Sequence, residues 1–145
     1  MVRRHLKANM NTENTSMKST SLIRYCAALA LSFAASMAGA GETAFTQAAF
    51  DQALAAGRPV VVDFQASWCP TCKAQKPIVE ALLKEPKLKD LTLFAADYDT
   101  EAALKKQLRV TQQSTFVVFK GGKEVGRSTG DTSKAGIASL FDRAL

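Results

Sequence analysis

Three short apolar runs punctuate the chain from residue 60 onward: "VVVDFQ" (Val60–Gln65), "LTLFAAD" (Leu91–Asp97) and "TFVVFK" (Thr115–Lys120). None alternates apolar with polar, so each reads as a strand buried on both faces of a sheet. The segments between them have helical spacing instead. In "AFTQAAFDQALAAGRP", Phe45, Ala49 and Ala53 share one face with Phe50 and Leu54 beside it. Thr46 is placed to cap this helix, and Gly57 with Pro59 stops it. A short first strand precedes it near Ala44, and Gly41–Thr43 reads as frayed. After Val60–Gln65 a helix is expected to about Lys84, kinked by Pro77. "EPKLKD" reads as a loop, and Thr100 as the cap of a helix over Glu101–Leu108 with Leu104 and Leu108 inward. Gly121-Gly122 forms a hairpin turn into a last strand, "KEVGRS". A closing amphipathic helix buries Ile137, Leu140, Phe141 and Ala144.

Strand–helix alternation implies parallel pairing, because parallel neighbours need a crossover. The Gly-Gly hairpin makes the last two strands antiparallel. The expected fold is α/β: one mixed sheet of four to five strands with helices on both faces.

Residues 1–40 have a different character. Lys18 and Arg24 flank "YCAALALSFAASMAGA", an apolar core ending in Ala38-Gly39-Ala40. This pattern predicts a secretory signal peptide cleaved after Ala40, with residues 41–145 as the mature domain. The segment before Met17 adds nothing such a signal needs, so Met17 is a possible true start. A membrane anchor would need about 20 apolar residues. Cys26 follows Arg24 and Tyr25, not the small residues of a lipoprotein signal. Arg3-Arg4 lies far from the apolar core, which weakens a twin-arginine reading.

Of the formal charge of +6 over 145 residues, +4 falls in residues 1–40 and only +2 in the rest. The domain therefore has no electrostatic footprint for nucleic acid, and none is expected as a partner. Cleavage would remove His5, the sole histidine, and Cys26, leaving Cys69 and Cys72. Histidine-based general base chemistry, Cys–His nucleophiles and histidine metal ligands are then excluded.

The chemistry is concentrated in "ASWCPTCKAQKP". Cys69 is placed at a helix N-cap with Pro70 at the first helical position, where a missing N–H costs nothing. The free N–H groups and positive dipole end of the helix then favour a thiolate on Cys69. Cys72, one turn on, can attack a mixed disulfide on Cys69 and release the partner. A structural zinc site needs four ligands, which the mature chain lacks. A structural disulfide across so small a loop would stabilise little. The strand–CxxC–helix setting favours redox. No cofactor is implied. Asp63 also stands out, because an acid in an apolar strand is costly without a role; a nearby hydroxyl or water is the plain alternative.

"VVVDFQASWCPTCKAQKP" resembles the active-site segment of the thioredoxin family, and "STFVVFKGGKEVGRSTG" resembles that family's later Pro-Thr, strand, Lys-x-Gly and final-strand stretch. The likeness spans residues 44–145 and implies a thioredoxin-like fold. It implies Cys69 as the exposed attacking cysteine, Cys72 as the buried resolving one, a redox disulfide Cys69–Cys72, Trp68 as the shield of the pair, and Asp63 as the acid that manages the proton of Cys72. Pro70, Thr71, Ser114 and Thr115 complete the environment and partner groove. Three positions depart from the family pattern. Ser114 stands where a cis-proline is usual, and a cis bond before serine would cost about 2.5–4 kcal/mol, so a trans bond is expected. Gln65 replaces a tryptophan. Ala95 replaces a lysine near the buried acid, which should make Asp63 harder to ionise.

Pro70-Thr71 differs from the Gly-Pro of reducing thioredoxins, and a proline after the first cysteine resembles glutaredoxins and periplasmic disulfide oxidants. The expected protein is an exported, periplasmic, monomeric thiol–disulfide oxidoreductase, reducing disulfide-bearing protein or small-molecule substrates and recharged by a membrane electron donor. The alternatives are a disulfide oxidase, a soft-metal (copper) module using both thiolates and Ser114, and a degenerate domain that binds partners without turnover.

Overall fold

The computed structural model describes residues 41–145. The signal peptide, the Met17 start, the Ala40 cleavage point and Cys26 lie outside the described residues. The chain runs β1 (Gly41–Ala44), α1 (Gln47–Ala55), β2 (Val60–Gln65), α2 (Pro70–Leu82), a 3-10 turn (Pro86–Leu88), β3 (Thr92–Asp97), α3 (Ala102–Leu108), β4 (Thr115–Lys120), β5 (Lys123–Thr129) and α4 (Lys134–Asp142). The five strands form one sheet in the order β1-β3-β2-β4-β5. β1, β3 and β2 are parallel, whereas β4 and β5 run antiparallel to their neighbours.

The apolar runs are buried on both sides, as their lack of alternation predicts. Val61, Leu93, Phe116 and Val118 face α2 and α4, meeting Val79, Leu82, Ile137, Leu140 and Phe141. Val60, Val62, Phe64, Phe94 and Phe119 face α1 and α3, meeting Phe50, Ala53 and Leu104. Edge-to-face rings join each layer to the sheet: Phe116 on Phe141 at 5.4 Å and Phe50 on Phe119 at 5.5 Å between centroids. Gly121 and Gly122 have φ of 55° and 76°, the double positive φ that a two-residue hairpin requires.

Four boundaries differ from the sequence reading. Gly41–Thr43 is not frayed: it belongs to β1, held in register by Gly41↔Thr92 through Ala44↔Ala95. Its order comes from backbone pairing with a distant strand, which no local pattern announces. Thr100 does not cap α3. The N-cap is Glu101, with no side-chain bond, because Asp97 Oδ1 already accepts from the Asp99 and Thr100 N–H groups at 2.8 and 3.1 Å. α2 ends at Leu82, and Glu85–Asp90 contains the 3-10 turn. β5 runs one residue further than "KEVGRS", with a register shift at Val118/Phe119.

Candidate active site

The site lies where the end of β2, the start of α2 and the start of β4 meet. Cys69 is the N-cap of α2, and its Sγ accepts from the Cys72 N–H at 3.1 Å. Pro70 occupies the first helical position. Ser114 directly precedes β4, and its N–H donates to Phe64 O of β2 at 2.8 Å. This pairing brings the Ser114 Oγ to 3.0 Å from Cys69 Sγ and 3.2 Å from Cys72 Sγ. One hydroxyl thus bridges both sulfurs. Cys69 and Cys72 are free thiols here, the reduced state of the pair.

The sulfurs are unequal. Burial by itself would push the Cys69 thiol up. Hydrogen bonds from the Cys72 thiol, the Ser114 hydroxyl and the Cys72 and Thr71 N–H groups outweigh it, and the Cys69 pKa lies below its ordinary value. Cys72 moves the other way: burial, together with sharing its proton toward Cys69, raises it. The pair is built to place negative charge on Cys69 and the proton on Cys72.

The expectation of an exposed Cys69 is corrected. Its residue surface is 1% accessible, against 8% for Cys72. Ala66, Cys69 and Cys72 form a small cluster against the ring of Tyr98, whose hydroxyl donates to Thr111 O at 2.7 Å. Trp68 is 55% exposed, its indole N–H donating to Asp99 Oδ2 at 2.8 Å. Thr115 does not join the sulfurs: its hydroxyl bonds Gln112 O and Thr129 Oγ1.

Asp63 shares with Val61 the sheet face beneath α2, by the two-residue period of β2. Its Oδ1 is buried without a hydrogen-bond partner, so the plain alternative of a satisfying protein hydroxyl fails for that atom. Burial, with Glu42 adding repulsion, pushes its carboxyl up to about 7. Its register neighbour on β3 is Ala95. A cleft of about 360 Å³ opens there, lined by Ala95, Gln65, Cys72, Lys73, Lys76 and Asp97 among others. Gln65 turns outward, donating to Glu42 Oε1 at 3.0 Å. The Gln113–Ser114 peptide is trans, and Ser114 has φ of 60°. Among the described residues no three His, Cys, Asp or Glu side chains converge as metal ligands.

Two contributors were missed from the sequence, Tyr98 and Gln75. Gln75 lies 2% exposed in the buried stripe of α2 formed with Cys72, Val79 and Leu82. A glutamine at an inward helical position was the available signal.

A thiolate-poised cysteine at a helix N-cap, with a protonated resolving thiol one turn on, defines a thiol–disulfide exchange centre. The comparisons agree. The Thioredoxin family model matches residues 42–143. The chain is 36% identical over 98 residues to a thioredoxin of Chlamydia trachomatis, covering 68% of this chain and 93% of that one. It is 34% identical over 88 residues to a bifunctional thioredoxin reductase/thioredoxin of Mycobacterium leprae, of which it spans 19%. Among solved structures, Trxlp from Edwardsiella tarda superposes with a TM-score of 0.68 at 40% identity, covering 70% of this chain and 98% of that one. The chain belongs to the thioredoxin family and is a thiol–disulfide oxidoreductase.

Proposed function

We propose that this protein is an exported, periplasmic reductase of disulfide-bearing substrates, working as a monomer and recharged by an electron donor in the membrane. The observation that carries the chemistry is the asymmetry of the two thiols around Ser114. The Cys69 thiolate attacks one sulfur of a substrate disulfide, forming a mixed disulfide and releasing the other sulfur as a thiolate. Cys72 then loses its proton, and Asp63, whose buried carboxyl lies up at about 7, is the acid that the family resemblance assigns to that transfer near neutral pH. The Cys72 thiolate then attacks Cys69 Sγ. The second substrate sulfur leaves, and the Cys69–Cys72 disulfide forms. Two electrons have passed to the substrate, and two must return.

Export rests on the leader-like composition of residues 1–40. A periplasm is kept oxidising, so a reductase working there needs electrons relayed across the membrane. The direct test is insulin disulfide reduction by the reduced protein. Activity should disappear in Cys69→Ser, and Cys72→Ser should accumulate a mixed disulfide with substrate. Undiminished reduction by Cys69→Ser would refute the mechanism. Fractionation with mass measurement tests export: the expected mature chain begins at Gly41, and a full-length cytoplasmic product would refute it.

A further inference from the structure

Gln75 is a polar side chain in a slot that leucine or methionine would fill without polar cost. Its Nε2 donates to Asp131 O at 2.8 Å and, at a longer 3.4 Å, to Ser114 O. Its Oε1 is buried with no partner. Turning the amide over would set that oxygen against two carbonyls, so the neighbours fix its orientation. Keeping a buried amide with one atom unsatisfied costs free energy, and the atoms it does reach explain where the return lies.

Those two carbonyls belong to segments that also touch each other, since the Gly130 N–H donates to Ser114 O at 2.9 Å. Asp131 is anchored in turn, with Oδ1 accepting from the Ser133 N–H at 2.8 Å. Ser114 has φ of 60°, a left-handed conformation that a residue with a Cβ holds only when its surroundings over-determine it. Phe64 O fixes its N–H from the β2 side. Gly130 and Gln75 fix its carbonyl from the other. Relaxation of Ser114 to negative φ would carry Oγ away from the sulfurs.

We propose that Gln75 is a positioning residue for the redox pair. It ties the Ser114 and Gly130–Asp131 segments to the helix that carries Cys72, and so keeps the Ser114 hydroxyl between the two sulfurs. The functional consequence rests on the exchange mechanism above, but the test does not. It is a spectrophotometric titration of the Cys69 thiolate in the reduced full-chain protein, which needs no substrate.

Q75M keeps the length and loses the donor. It should lower the thiolate fraction at neutral pH about tenfold, the order of one lost hydrogen bond to a charged group. S114A should do the same. In the S114A background Q75M should have no further effect on the thiolate, because Gln75 acts through the Ser114 hydroxyl. Q75N, whose amide stops one methylene short, should behave as Q75M does and serves if Q75M fails to fold. A purely structural Gln75 would lower stability and leave the titration unchanged. That result, or full additivity of Q75M and S114A on the thiolate fraction, would overturn the proposal. A wild-type protein inactive on insulin but showing the predicted titrations would sink the reductase reading and leave the proposal standing.

Discussion

At the scale of single residues, Asp63 has the largest consequence for stability. Its carboxyl lies at about 7 in the fold against 3.8 ordinarily, chiefly through burial. The fold therefore favours the protonated form. The stability that this contributes is fully present below about pH 4 and is lost as pH rises through about 7. At roughly 1.4 kcal/mol per pKa unit the loss is on the order of 4 kcal/mol. Asp63→Asn, neutral at every pH, should leave stability at pH 4 nearly unchanged and raise it at pH 8 by roughly 2–4 kcal/mol. Urea denaturation at the two pH values measures this, and an undiminished fall between them in the variant would assign the pH dependence elsewhere. Asp63 was legible in the sequence because one acid interrupted an apolar strand, Cys69 and Cys72 because their spacing at a helix start has a chemical logic, and Ser114 only through the resemblance, as a serine where the family has a proline. Tyr98 was not, and Gln75 only in part, as a polar residue on the inward period of α2. A helix tolerates glutamine on either face, and only the tertiary contacts of Gln75 with Asp131 and Ser114 show why it turns inward. The burial of Cys69 was equally hidden, since it comes from packing by segments far apart in the chain.

At the scale of elements, three helices start on side-chain caps, and one of those caps is the attacking cysteine itself. Thr46, Cys69 and Ser133 each cap their helix through a side chain, accepting from Ala49, Cys72 and Gly136. The first two were readable from the order of residue types. The edge strand β1 was readable only near Ala44; its extension back through Gly41–Thr43 was not, because those residues gain their place only from register with β3. The start of α4 carries a sharper consequence. A Cβ added at Gly136 would come within 3.0 Å of both Asp131 Oδ2 and Ser133 Oγ. Glycine to alanine in a helix ordinarily gains about 1 kcal/mol. Here the added methyl must displace the Ser133 cap and the Asp131 turn, each worth about 1 kcal/mol. Gly136→Ala should therefore destabilise the protein by about 1 kcal/mol, the opposite of the helix-propensity expectation. A measured gain would show that the two side chains move aside at no cost.

At the scale of the whole molecule, the open quantity is the direction in which electrons flow, and the fold bears on it through the reduced state. A dithiol becomes more oxidising as its reduced form is stabilised relative to its disulfide. In this protein the reduced pair shares its charge with a helix N-cap, as the family's position for Cys69 provides, and also with the Ser114 hydroxyl, which contacts both sulfurs. Once the disulfide has formed, neither sulfur bears a negative charge for that hydroxyl to stabilise, so Ser114 favours reduction. The reduction potential of the Cys69–Cys72 couple should accordingly be less negative than thioredoxin's, roughly −270 mV, while staying well below the periplasmic oxidant's, about −120 mV. Removing the hydroxyl reverses the effect. Ser114→Ala should lower the potential by about 30 mV if the lost bond is worth about 1.4 kcal/mol, at 30 mV per 1.4 kcal/mol for a two-electron couple. Equilibration against glutathione measures both values. A wild-type potential at or below thioredoxin's, with no shift in Ser114→Ala, would mean that the serine stabilises both redox states equally. A value near the oxidant's would reverse the proposed direction, making substrate dithiols the electron source and the membrane partner an acceptor.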